Sequence, residues 1–234
     1  IKEIFPPEDS LDLIERNQIK STAEIEIAVI KLSRISNFSD LDPLFSESSV
    51  QLRWVEPGEK LGKPDVLIIP GSKQTIKDLE SLNETGLREQ IKNYAKNGGN
   101  IFGICGGLQM LGMTLEDPYN IEGNLENKTS IISGIELLPI RTSFTNKKHT
   151  SQRKEIIFWP ESELVQGFEM HYGESDLINR KNSNIISFSK NTSLGWVLEK
   201  KDKSFIGGTY LHGIFENNEW RRQWINKIRQ KKGL

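Results

Sequence analysis

NIFGICGGLQMLGM, residues 100–113, carries a short apolar strand that passes without a loop into the start of a helix, with the chain's one cysteine, Cys105, at the junction. An apolar run of strand length flanked this way reads as one unit of a parallel sheet buried on both faces. A side chain on so sharp a turn projects from the sheet edge, and the crowding around it favours residues without a Cβ, here Gly103, Gly106 and Gly107. The helix N-terminus beneath Cys105 favours thiolate over thiol. The plain alternative is a small buried hydrophobe in a core strand. The glycines on both sides favour the nucleophile.

Upstream, EIEIAVIKL, SVQLRWV and DVLIIP (24–32, 49–55, 65–70) are three further β-type runs. Between PGSK (70–73) and Asn97-Gly98-Gly99, the spacing of Ile76, Leu79, Leu82, Leu87, Ile91 and Tyr94 predicts one helix over 75–96. Beyond about residue 120 the texture changes to short β-type runs, ISGIELLPI, EIIFW, NIISFS, LGWVLEK and SFIGGTYLH, and NNEWRRQWINKIRQ (217–230) predicts a closing amphipathic helix. The expected fold is α/β, a mostly parallel sheet with helices on both faces, plus an added antiparallel β region in the C-terminal half. Residues 1–24, with Pro6, Pro7 and a polar acidic stretch, read as a linker or edge element, and residues 25–234 as the domain.

Thirty-one Lys and Arg against 32 Asp and Glu leave a net charge of -1, so no global field gathers nucleic acid or an anionic membrane. Apolar runs fall well short of the ~20 residues of a membrane helix. A single cysteine forms no intrachain disulfide, which fits a reducing, cytoplasmic setting. The chain begins with Ile, and an upstream part is expected.

A thiolate attacking an acyl carbon needs a proton shuttle. Of three histidines, His149 sits in the polar, basic TNKKHTSQRK and reads as a solvated loop residue. His212, ending an apolar run before Gly213, is the better base; His171, with Glu169 and Glu174 nearby, competes. Backbone N–H groups at Gly71 and Gly106 are candidate oxyanion donors. One cysteine and three scattered histidines offer no zinc spacing, so no metal site is expected.

PGS at Gly71, GICGGLQ at Cys105 and LHG at His212, in that order, resemble the class I, triad-type glutamine amidotransferases, which have a flavodoxin-like sheet. Five blocks (28–44, 70–80, 103–112, 167–176 and 208–217) are similar to the glutaminase domains of cobyric acid synthases, and PPEDSLDL (6–13) is similar to the join between that enzyme's two domains. The resemblance implies that Cys105 forms a glutamyl thioester and releases ammonia, that His212 moves protons, that Gly71 and Gly106 form the oxyanion hole, and that Gln109 contacts glutamine. It implies as partner an N-terminal ATP-dependent synthetase domain, which would hold ATP and magnesium and bring the corrinoid acceptor. This chain has no GxxxxGK[ST] phosphate loop and implies no cofactor of its own. Many relatives carry a glutamate two residues after the histidine, where this chain has Ile214. Glu216, Glu169 and Glu174 are then candidates for the third triad member, with a Cys/His dyad as default. Related readings are the glutaminase half of cobyrinic acid a,c-diamide synthase or of a lipid II amidating complex, or a non-catalytic partner-binding module. A docking surface is expected around Phe38 and Leu41.

Overall fold

Apolar β-branched runs pair in parallel only when both of their faces are covered, and the computed structural model, which describes residues 20–122, 131–178, 184–190 and 192–234, meets that condition. In chain order, β1 (Ile25–Ile30) leads through a 3-10 turn (Phe38–Leu41) and α1 (Asp42–Ser46) to β2 (Val50–Val55) and β3 (Val66–Ile69). Then come α2 (Thr75–Glu84), α3 (Leu87–Lys96), β4 (Asn100–Ile104), α4 (Gly106–Met110) and β5 (Thr114–Glu116). The second half holds β6 (Ile131–Ser133), β7 (Ile140–Ile157), β8 (Glu163–Leu177), β9 (Ile185–Ser187), β10 (Gly195–Glu199), β11 (Phe205–Thr209) and α5 (Asn218–Lys232).

The main sheet has the order β2-β1-β3-β4-β11-β10-β9. Its first five strands are parallel, and β10 and β9 add antiparallel. Every residue of β3, β4 and β11 is buried, so side chains alternating between faces meet packing on each. On one face Phe102 of β4 meets Trp220 and Trp224 of α5, each with its ring centroid 5.9 Å away. Trp220, Trp224, Ile225 and Ile228 form the buried side of the expected closing helix.

Four details depart from expectation. The single helix over 75–96 is two, because Thr85 closes α2 and Gly86 adopts φ 72° before α3 begins; the turn is a stop signal in mid-pattern. The β-type runs after residue 120 divide between two sheets, and β11, β10 and β9 complete the main one. The added sheet, β6-β5-β7-β8, is mostly the long β7–β8 hairpin. TNKKHTSQRK, expected as a loop, lies within β7, because its second half, His149 to Lys154, pairs in register with β8. The surface expected at Phe38 and Leu41 is core instead: Leu41 is fully buried, and Phe38 is half-buried, edge-on to Trp54. The linker expected over 1–24 falls, through residue 19, outside the described residues.

Candidate active site

The strand order reverses at β1 and β3, and an open parallel sheet forms its binding crevice at the carboxyl ends beside such a switch point. The segments following β1, β3, β4 and β11 bring Asp40, Gly71, Cys105 and His212 there. The segments after β1 and β3 are tied together: Ser36 N donates to Gly71 O at 2.9 Å, and Lys73 N donates to Arg34 O at 2.9 Å.

Cys105 stands between β4 and α4 with φ 50° and ψ -108°, a strained backbone for a residue bearing a Cβ. It is 5% exposed, its N–H donates to Thr209 O at 2.8 Å, and its thiol faces Met170 O at 3.8 Å. The turn is held by close backbone approach. A Cβ on Gly107 would stand 2.0 Å from Ile69 O, and one on Gly103 would stand 2.6 Å from the backbone of Gly107. Gly107→Ala therefore forces β3 and α4 apart. Overpacking of this kind costs about 2–3 kcal/mol, and a Tm lower by about 5–10 °C is expected in a thermal melt.

His212 is 1% exposed, and its Nδ1 lies 2.7 Å from Asp40 Oδ2. The other oxygen of that carboxylate accepts the Gly213 N–H at 2.8 Å, where Gly213 turns with φ 75°. Nε2 is thus left on the side of Cys105, whose sulfur acts on the charge of the imidazole. Burial pulls the imidazole down, but the Asp40 carboxylate and the Cys105 sulfur outweigh it, so the group is pushed up to about 10. Sequence reasoning missed Asp40. Among the candidates it offered in that place, Glu216 is exposed, with its carboxylate beside Gly213, and Glu174 lines a separate cavity behind β8. Glu169 is bound to Arg153 and His171. The position on His212 Nδ1 belongs to Asp40, 172 residues away in sequence. The available signal was an acidic turn, SNFSDLDPL, directly after the first parallel strand.

Gly71 and Gly106 meet at the same crevice. A Cβ on Gly71 would lie 3.3 Å from His212 Cε1, and one on Gly106 would lie 2.9 Å from Ser72 N. Gln109 is buried in a polar chain: it accepts from Thr75 Oγ1 at 3.3 Å and donates to Tyr210 OH at 3.1 Å. Tyr210 continues to Ser175 and Thr142, and burial holds its phenol above the ordinary value. His171, the competing base, stacks on Tyr210 with ring centroids 3.9 Å apart, and both its nitrogens are engaged, with Gly173 O and Glu169.

Residues 26–220 match the CobB/CobQ-like glutamine amidotransferase domain. The chain belongs to this family. It is 75% identical over its whole length to the cobyric acid synthase of Prochlorococcus marinus (strain NATL2A), of which it covers 46%, and 54% identical over 235 residues to that of strain MIT 9313, of which it covers 47%. A cobyric acid synthase of Synechococcus sp. (strain WH7803) is 49% identical and 48% covered. The glutamine amidotransferase domain thus spans about half the length of the curated relatives it matches. Its fold is that of solved glutamine amidotransferases. A crystal structure of a glutamine amidotransferase aligns with TM-score 0.60 at 13% identity, covering 89% of this chain and 99% of the other. PurLQS from Thermotoga maritima aligns with TM-score 0.58 at 14% identity, covering 88% and 98%. Among the described residues of the amidotransferase domain, no helix is long and apolar enough to cross a membrane.

Proposed function

We propose that this domain hydrolyses glutamine through a thioester on Cys105 and supplies ammonia to an ATP-dependent amidation carried by the remainder of the protein. The observation that carries the proposal is the alignment of Cys105 on its strained turn, His212, and Asp40 on the far nitrogen of the imidazole. His212 Nε2 takes the thiol proton, and the sulfur attacks the side-chain carbonyl carbon of glutamine. The N–H groups of Gly71 and Gly106 hold the oxyanion. His212 then returns the proton to the leaving nitrogen, ammonia departs, and the glutamyl thioester remains. Water attacks that thioester, with His212 accepting its proton, and glutamate leaves. Asp40 fixes the tautomer and balances the imidazolium throughout. Gln109, anchored between Thr75 and Tyr210, shapes the end of the glutamine pocket.

The similarity to cobyric acid synthases over the whole chain supports carboxylates of a corrinoid as the acceptor. ATP and magnesium then belong to the remainder of the protein, an ATP-dependent synthetase domain. The proposal is tested with a thiol-directed glutamine analogue followed by mass spectrometry. One adduct per chain is expected, mapped to Cys105 and blocked by excess glutamine. Labelling that glutamine does not compete would exclude a glutamine site at this thiol.

A further inference from the structure

The β7–β8 ladder brings together two histidines that are 22 positions apart in sequence. His149 pairs directly with His171, just past a register shift in β7, and Glu169 stands two residues before His171 on β8. Side chains alternate along strands, so all three share a face, and one ligand atom of each lies within 4.8 Å of the others. We propose that His149, Glu169 and His171 bind a divalent cation of the zinc class, separate from the Cys105 site.

The second contacts of these side chains carry the assignment. Nδ1 of His171 lies 2.7 Å from Gly173 O and donates to it, which orients the ring and turns Nε2 toward Glu169. That nitrogen faces Glu169 Oε2 at 3.2 Å. The pair is an ion pair when the ring carries a proton there, and a divalent cation displacing that proton would be held by the same two atoms. In a tetrahedral zinc site with bonds of about 2.0–2.1 Å, neighbouring ligand atoms stand about 3.3 Å apart. Arg153 Nε donates to Glu169 Oε1, which orients the carboxylate and leaves Oε2 for the ion. His149 Nε2, 3.6 Å from Oε1, closes the set from the solvent side. A cavity of about 300 Å³, bordered also by Glu174, Asp176 and Ser193, gives room for water in the fourth position. Imidazole and carboxylate donors suit zinc, cobalt or nickel better than magnesium or calcium.

The site bears on the thiol. Met170 lies between the two β8 ligands, and its carbonyl faces Cys105 Sγ at 3.8 Å. An ion that fixes Glu169 and His171 also fixes that carbonyl, so it clamps the wall of the catalytic crevice.

The test uses the whole chain carrying Cys105→Ser, so that the thiol is not a ligand, after treatment with a chelator. Zinc chloride is titrated by calorimetry, and cobalt chloride is followed by its visible absorption. One ion per chain and the intense bands of four-coordinate cobalt are expected, with binding at least about 100-fold weaker in Glu169→Gln and His171→Ala. His149 is half-exposed, so His149→Ala retains the fold, checked by circular dichroism, and still loses affinity. Absence of saturable one-to-one binding would leave the cluster an ion pair of Glu169 with Arg153 and His171 and would overturn the proposal. Binding that His149→Ala and His171→Ala leave unchanged would overturn it equally. Neither result tests whether Cys105 attacks glutamine, which the labelling experiment decides separately.

Discussion

Cys105→Ala is expected to abolish release of ammonia and glutamate from glutamine, with kcat falling by roughly 10⁴–10⁶-fold. The size follows from the chemistry. Without the sulfur no thioester forms, and the remaining groups act only on direct attack by water. Fold and stability should change little, because the side chain removed is one sulfur atom at the crevice. The measurement is coupled detection of glutamate, or of ammonia, at saturating glutamine, with circular dichroism confirming the fold. Activity within tenfold of the parent chain would remove Cys105 from the mechanism. A parent chain that forms the covalent adduct without turnover would have a reactive Cys105 whose turnover depends on the proposed synthetase domain.

Asp40→Asn is expected to lower kcat by about 10²–10⁴-fold with little change in KM. Asn can keep the bond from the Gly213 N–H, but its amide then presents a donor to His212 Nδ1 in place of an acceptor. The imidazole must carry its proton on Nε2, the nitrogen required to accept the thiol proton, and the charged ring loses its counter-ion. A pH signature separates this role from mere packing. His212 is raised from 6.5 to about 10, so the folded protein keeps a proton that the unfolded chain releases. The resulting stability is fully present below about 6.5 and is lost as pH rises through about 10. Urea midpoints measured from pH 6 to pH 10 should fall more steeply for the parent chain than for Asp40→Asn. Parallel curves would show that Asp40 does not set the charge of His212.

Much of this was legible in the sequence, since the residues concerned are governed by local rules. NIFGICGGLQ announces a buried strand, a sharp turn and a helix start through apolar run, glycine placement and spacing alone, and Gly71 and His212 follow parallel-type strands in the same way. Local pattern also has limits. The stop at Gly86 hides inside a helical periodicity, and the basic stretch 145–154 reads as a loop because its alternation is almost wholly polar, so only cross-strand pairing with β8 makes it a strand.

The amino-acid sequence by itself picked out the β–α order of the parallel sheet and the placing of Cys105 and His212 after parallel strands, because each depends on neighbours within a few residues. Tertiary structure alone decided the carboxylate on His212. Asp40 reaches it because β1 lies next to β3 at the reversal of strand order, a choice of pairing that no local propensity encodes. The same holds for His149, which joins Glu169 and His171 only through the register of one hairpin.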